Sequence, residues 1–156
     1  MSKILVSYFS ATGTTKTVAL KVGSVLGADL FEIAPVHEYT SEDLDWTDKN
    51  SRTTIEANDS SIRPEIKEKV ANIDSYDTVI IGFPVWWYKA PSVINTFIEE
   101  NDLSNKKVYI FVTSGGSSYE SSLDKLKENY KNINFIGGKR LSNNVTEDDV
   151  KSLINS

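Results

Sequence analysis

Ser10-Ala11-Thr12-Gly13-Thr14-Thr15 sets four hydroxyl side chains around one glycine, between the apolar run Ile4-Leu5-Val6-Ser7-Tyr8-Phe9 and a helix-patterned segment that begins near Lys16. The start of a helix leaves backbone N–H groups without intrahelical partners and carries the positive end of the helix dipole. A hydroxyl-rich turn there can cradle an anion, a phosphate above all. Ser and Thr also serve as ordinary helix N-caps, which require no ligand. Two later stretches bear on the choice. Pro84-Val85-Trp86-Trp87-Tyr88 places three large aromatics side by side, and Thr113-Ser114-Gly115-Gly116-Ser117 is followed by Tyr119. Aromatics of this size in a loop expose a large apolar area unless a ligand, the core or a second subunit covers them. Paired glycines allow backbone to approach a ring edge, or simply make a tight turn.

The elements that must position these stretches alternate in type. Ile4–Phe9, Thr78–Phe83 and Lys107–Val112 are apolar runs of strand length with no polar face, as expected of strands buried on both sides of a parallel sheet. Weaker strands are expected at Leu30–Ile33 and Asn134–Gly137. Helical spacing predicts Thr15–Leu26, closed by Gly27, and helices carrying Val93, Ile94, Phe97 and Ile98, then Leu123, Leu126 and Tyr130. A last helix runs from Thr146 to Ile154 with Thr146 as N-cap. Pro64 at a first helical position, with Ile66, Val70 and Ile73 on one stripe, predicts a further helix. Ala34–Arg63 is too long for a simple connection, and Ser41–Leu44 could cap a short helix within it. Such alternation implies an α/β sandwich of three layers: a five-stranded parallel sheet of order 2-1-3-4-5 with helices on both faces. Ligands of such sheets bind beyond the carboxyl ends of strands 1, 3 and 4. The three unusual stretches follow those three strands, so together they describe a flat aromatic ligand with a phosphate tail.

Composition narrows the classes. A chain of 156 residues is expected to form a single domain over 1–156. It has no cysteine, which excludes disulfides, thiolate metal sites and a cysteine nucleophile; the single histidine, His37, cannot build a histidine metal cluster, and no metal site is expected. A net charge of -5 and a pI near 4.9 argue against a nucleic-acid partner. With no signal-like N-terminus and no apolar run near the roughly 20 residues needed to span a bilayer, no membrane association and a cytoplasmic location are expected.

The three stretches resemble those of the flavodoxin-like flavoproteins, which bind FMN without covalent attachment, and the resemblance covers essentially the whole chain. It implies that Ser10, Thr12, Gly13, Thr14 and Thr15, with Ala11 among them, hold the FMN phosphate. Trp86, Trp87 and Tyr88, in the loop opened by Pro84 and Val85, would line or stack on the isoalloxazine. Gly115, Gly116 and Tyr119, after Thr113 and Ser114, would edge its pyrimidine side or opposite face. The flavin would do the chemistry and no catalytic side chain is required. The loop from Pro84 to Pro91 lacks the glycine that many long-known flavodoxins carry there, and the Trp-Trp-Tyr and Thr-Ser-Gly-Gly-Ser runs are also similar to two-electron NAD(P)H:quinone reductases of the same fold. The expected function is electron transfer, with such a reductase, or a non-catalytic FMN-binding or partner-binding module, as alternatives. A redox protein or a small quinone-type acceptor is the expected partner, and the protein itself is a monomer or homodimer.

Acidic residues beside the cleft, with Glu42, Asp43, Asp45, Glu99, Glu100 and Asp102 as candidates, would lower the flavin potential. Tyr39 and Trp46 could fold over the cleft or pack remotely. Other functions of this architecture fit poorly. A phosphoacceptor domain needs an acidic pair after strand 1 and an Asp at the end of strand 3, where Ser10 and Pro84 stand. A low-molecular-weight phosphatase needs a cysteine. Gly13-Thr14-Thr15-Lys16-Thr17 lacks the first glycine of a nucleotide P-loop.

Overall fold

The apolar runs become strands because each has somewhere to bury both faces. The computed structural model describes residues 3–10, 13–45, 47–59, 61–85, 90–113, 119–142 and 144–154. Among them β1 (Ile4–Tyr8), β2 (Asp29–Glu32), β3 (Thr78–Pro84), β4 (Lys107–Thr113) and β5 (Asn134–Arg140) form one parallel sheet of order β2-β1-β3-β4-β5. The helices are α1 (Thr14–Leu26), α2 (Arg52–Asn58), α3 (Ser92–Glu100), α4 (Glu120–Asn129) and α5 (Glu147–Ile154). Successive residues of a strand point to opposite faces. Val6, Ile80 and Phe111 therefore pack with Val18, Val22, Val150 and Leu153 of α1 and α5. Leu5, Val79, Ile81 and Phe83 pack with Val93, Ile94 and Phe97 of α3 and Leu123 and Leu126 of α4. Fully burying each such side chain contributes about 1.5–3 kcal/mol.

The helix ends follow the expected chemistry. Gly27 takes the left-handed conformation (φ 61°) and its N–H reaches the Gly23 carbonyl, closing α1. At α5 the Thr146 hydroxyl accepts from the Asp149 N–H (3.1 Å) while the Asp149 carboxylate accepts from the Thr146 N–H (3.0 Å), a reciprocal cap. β2 begins and ends one residue earlier than expected, and β5 runs three residues further.

The crossover from β2 to β3 departs most from expectation. Residues 64–72 form no helix. The Val36 N–H donates to the Glu65 carbonyl (2.8 Å) and the Lys67 N–H to the Ala34 carbonyl (2.8 Å), an antiparallel bridge of Pro35 with Ile66. These bonds require extended backbone, and Pro64 has no N–H to offer a helix. Ile66 and Val70 are still buried, so the apolar stripe is used without the helix; only a single 3₁₀ turn forms, at Ile73–Ser75. The helix of this crossover is instead α2, capped by the Ser51 hydroxyl accepting from Thr54. Ser41–Leu44 is a turn, held by reciprocal bonds between Thr40 and Asp43. No helix among the described residues is long and apolar enough to cross a membrane.

Phe97 is fully buried and its ring meets that of Phe31 at 5.9 Å between centroids, joining α3 to the edge strand. Phe97→Ala is expected to lower stability by about 3–5 kcal/mol, read as a lower urea midpoint at unchanged slope.

Candidate functional site

The rim is set by register. Tyr8 pairs with Gly82 and Pro84 with Thr113, and the Phe9 N–H continues the ladder onto the Gly82 carbonyl (2.9 Å). Carrying that register two residues on puts Ser10, Pro84 and Thr113 at one level. The Val85 N–H donates to the Thr113 carbonyl (3.1 Å), so the chains leaving β3 and β4 stay paired as they exit. Across the rim the Thr15 and Thr113 hydroxyls lie 2.7 Å apart, a hydrogen bond between residues 98 positions apart in sequence. The three chain exits expected to share a ligand therefore start from one place. Ala11, Thr12, Trp86, Trp87, Tyr88, Ser114, Gly115 and Gly116 lie outside the described residues, as does Trp46.

The start of α1 is built to leave donors open. Gly13 is its N-cap, with φ +97°, and among the described residues no side chain caps the first turn, which also holds no acidic residue. Ser10 Oγ accepts from the Gly13 N–H (3.0 Å), folding the turn back on itself. The Gly13 carbonyl accepts from both the N–H (3.1 Å) and the hydroxyl (3.0 Å) of Thr17. A Cβ placed on Gly13 would meet nothing within 4 Å, so the space before this turn is open to a ligand. Thr14 and Lys16 are exposed.

The Thr15 side chain has a different task from the one expected of it. It is 2% exposed and engaged with Thr113, so of the expected hydroxyls it is the one turned inward, and what Thr15 offers a phosphate is its N–H. Tyr119 is half-buried just before α4, with Cδ2 only 2.9 Å from where a Gly138 Cβ would stand; only a glycine on β5 admits the ring there.

Three acidic candidates stand elsewhere. Glu99 and Glu100 end α3, and Asp102 precedes β4, whose first N–H, that of Lys107, bonds the Asp77 carbonyl ahead of β3. All three therefore lie at the amino edge of the sheet, opposite the rim. Glu99 is bound there to Arg63 Nε (2.8 Å) and to the Tyr130 hydroxyl. Tyr39 does approach the rim: its ring meets Phe9 edge-on, 5.5 Å between centroids. Burial and a hydrogen bond to the Glu56 carboxylate hold its phenol far above the ordinary tyrosine range. The approach of Arg52 and Glu56 to Tyr39 was not expected from sequence; the spacing Arg52-x-x-x-Glu56 on one helix face is the signal that pointed to it.

A family model described as flavodoxin matches residues 3–156. The chain belongs to the flavodoxin family. FMN is the cofactor of that family. A comparison with curated proteins finds no match. Among solved structures, one from Bacteroides eggerthii whose assignment as a flavoprotein is provisional is 50% identical, with 99% of this chain and 97% of that one covered and a TM-score of 0.96. A second such structure, from Bacteroides uniformis, is 44% identical over 99% of both chains, with a TM-score of 0.93. A Lactobacillus acidophilus flavoprotein in complex with FMN is 23% identical over 99% of both chains, with a TM-score of 0.77, and shares the fold.

In this flavodoxin-family chain the Thr15–Thr113 bond can be isolated by mutation. Thr113→Val leaves the buried Thr15 hydroxyl without its partner and is expected to cost about 1–3 kcal/mol in urea denaturation, whereas the Thr15→Val, Thr113→Val double variant recovers most of the loss.

Proposed function

We propose that the protein binds FMN non-covalently at the rim formed by the exits of β1, β3 and β4 and works in electron transfer. The observation that carries this reading is the uncapped, acid-free start of α1 with open space before Gly13, tied through Thr15 and Thr113 to the other two exits. FMN when bound supplies the redox chemistry. The N–H groups of the first turn of α1, the Ser10 and Thr14 hydroxyls and Thr12 receive the phosphate. Trp86, Trp87 and Tyr88 cover the ring and exclude water, and Ser114, Gly115, Gly116 and Tyr119 bound its polar edge. A phosphate held mostly by dipoles, with Lys16 as the cation in the first turn, keeps much of its field. That field opposes electron uptake at the ring, by about 1–4 kcal/mol per charge at close range.

A second reading has its own support. Val85-Trp86-Trp87-Tyr88-Lys89-Ala90 contains no glycine, so the loop after β3 lacks the peptide that could reorient beside a reduced ring. Paired two-electron transfer from NAD(P)H to a quinone suits such a loop. In either case the protein works in the cytoplasm, with a redox protein or a small quinone-type acceptor as its partner.

The protein is expected to purify yellow or to turn yellow with FMN. Gly13→Val, which forces a branched side chain into the left-handed region and into the cradle, is expected to weaken FMN binding at least tenfold by fluorescence titration, since about 1.4 kcal/mol of strain suffices. A wild-type protein with no measurable FMN affinity contradicts the reading. NADPH oxidation by the isolated protein with a quinone present supports the reductase. Reduction only through a separate reductase, in two separable one-electron steps, supports the carrier.

A further inference from the structure

The excursion between β2 and β3 is fastened at two points. Its base is the Pro35–Ile66 bridge. Its second fastening lies on the chain that leads into the cradle. Glu56, 5% exposed, is a carboxylate in a position where charge is rarely found without partners. Both its oxygens are engaged: Oε1 accepts from the Tyr39 hydroxyl (2.5 Å) and Oε2 from Arg52 Nε (2.9 Å). Another guanidinium nitrogen of Arg52 donates to the His37 carbonyl (2.5 Å), and the guanidinium carbon lies 3.8 Å from the Tyr39 ring centroid. The other side of the cluster is the edge-on contact of Tyr39 with Phe9. Phe9 is 2% exposed and immediately precedes Ser10, whose hydroxyl shapes the Gly13 turn.

We infer that Tyr39, Arg52 and Glu56 are positioning residues for the phosphate end of the flavin site, acting through Phe9; this rests on the FMN reading above. A buried ion pair adds little net stability, because desolvation offsets most of the attraction, so its value here lies in where it holds Tyr39. The Arg52–Tyr39–Phe9 stack clasps an excursion that its base alone would leave free to swing, and it fixes the side chain at the entrance to the cradle. Without the clasp the turn around Gly13 samples other arrangements, and apparent affinity falls in proportion to the fraction still competent. The effect is specific to the phosphate: the ring is covered by the exits of β3 and β4, which the clasp does not touch.

FMN and riboflavin, which share the ring and differ in the phosphate, separate this role from a general loss of structure. Dissociation constants for both are measured by flavin fluorescence on the apoprotein of the wild type, Tyr39→Leu and Arg52→Ala. The inference expects FMN binding to weaken about tenfold in each variant, with riboflavin within about twofold of wild type, as for a competent fraction reduced to about a tenth. Tyr39→Phe keeps the ring on Phe9 while losing the Glu56 bond; it serves if the harsher variants do not fold, and a smaller loss confined to FMN is expected. Equal weakening of FMN and riboflavin, or FMN affinity unchanged in all three variants, overturns the inference and leaves the flavin site standing. A wild type that binds neither flavin overturns the site and the inference together.

Discussion

The hydrogen bond between Thr15 and Thr113 is the smallest feature on which the rest of the rim depends. Each hydroxyl is buried, each belongs to a different exit from the sheet, and their 2.7 Å separation holds the first turn of α1 against the end of β4. Sheet register alone would leave the three exits level but free to splay. The hydroxyl pair and the Val85–Thr113 backbone bond bring them together. In water the same pair would be worth little; buried, neither hydroxyl can part from the other without losing a partner altogether.

This arrangement reserves backbone for the ligand. Thr15, which might have capped its own helix, is turned away from the opening, and the N-cap position is held by Gly13, which has no side chain to offer. The first turn is left with its N–H groups and no acidic residue, an electrostatic setting that favours an anion without a cluster of cations. Binding by dipoles suits a chain of net charge -5, where each added arginine would also alter the field that a redox partner meets.

What could be read in the sequence divides along physical lines. β1, β3 and β4 were legible because strands buried on both faces show as unbroken apolar runs, and α1 and α5 because Gly27 and Thr146 are caps with a mechanism. The strand order followed from alternation and the right-handed crossover. The excursion was not legible, since Ile66 and Val70 have helical spacing in a segment whose N–H groups are claimed by pairing between residues 34 and 67; a long-range backbone bond leaves no local signature. The inward turn of Thr15 is hidden for the same reason, as its partner is 98 positions away. Glu99, Glu100 and Asp102 were misplaced because charge shows in sequence but the edge of the sheet to which it belongs does not. Family membership, by contrast, was carried by short motifs at the strand ends, which is where an open α/β sheet keeps its function.

The central claim is that three distant segments form one site for one molecule. Amide chemical shifts of Gly13, Thr15, Val85 and Thr113, followed as FMN is added to the apoprotein, test it most directly. The account predicts that all four move together and saturate at one equivalent of FMN. Shifts confined to one segment, or reaching saturation at different FMN concentrations, would contradict it.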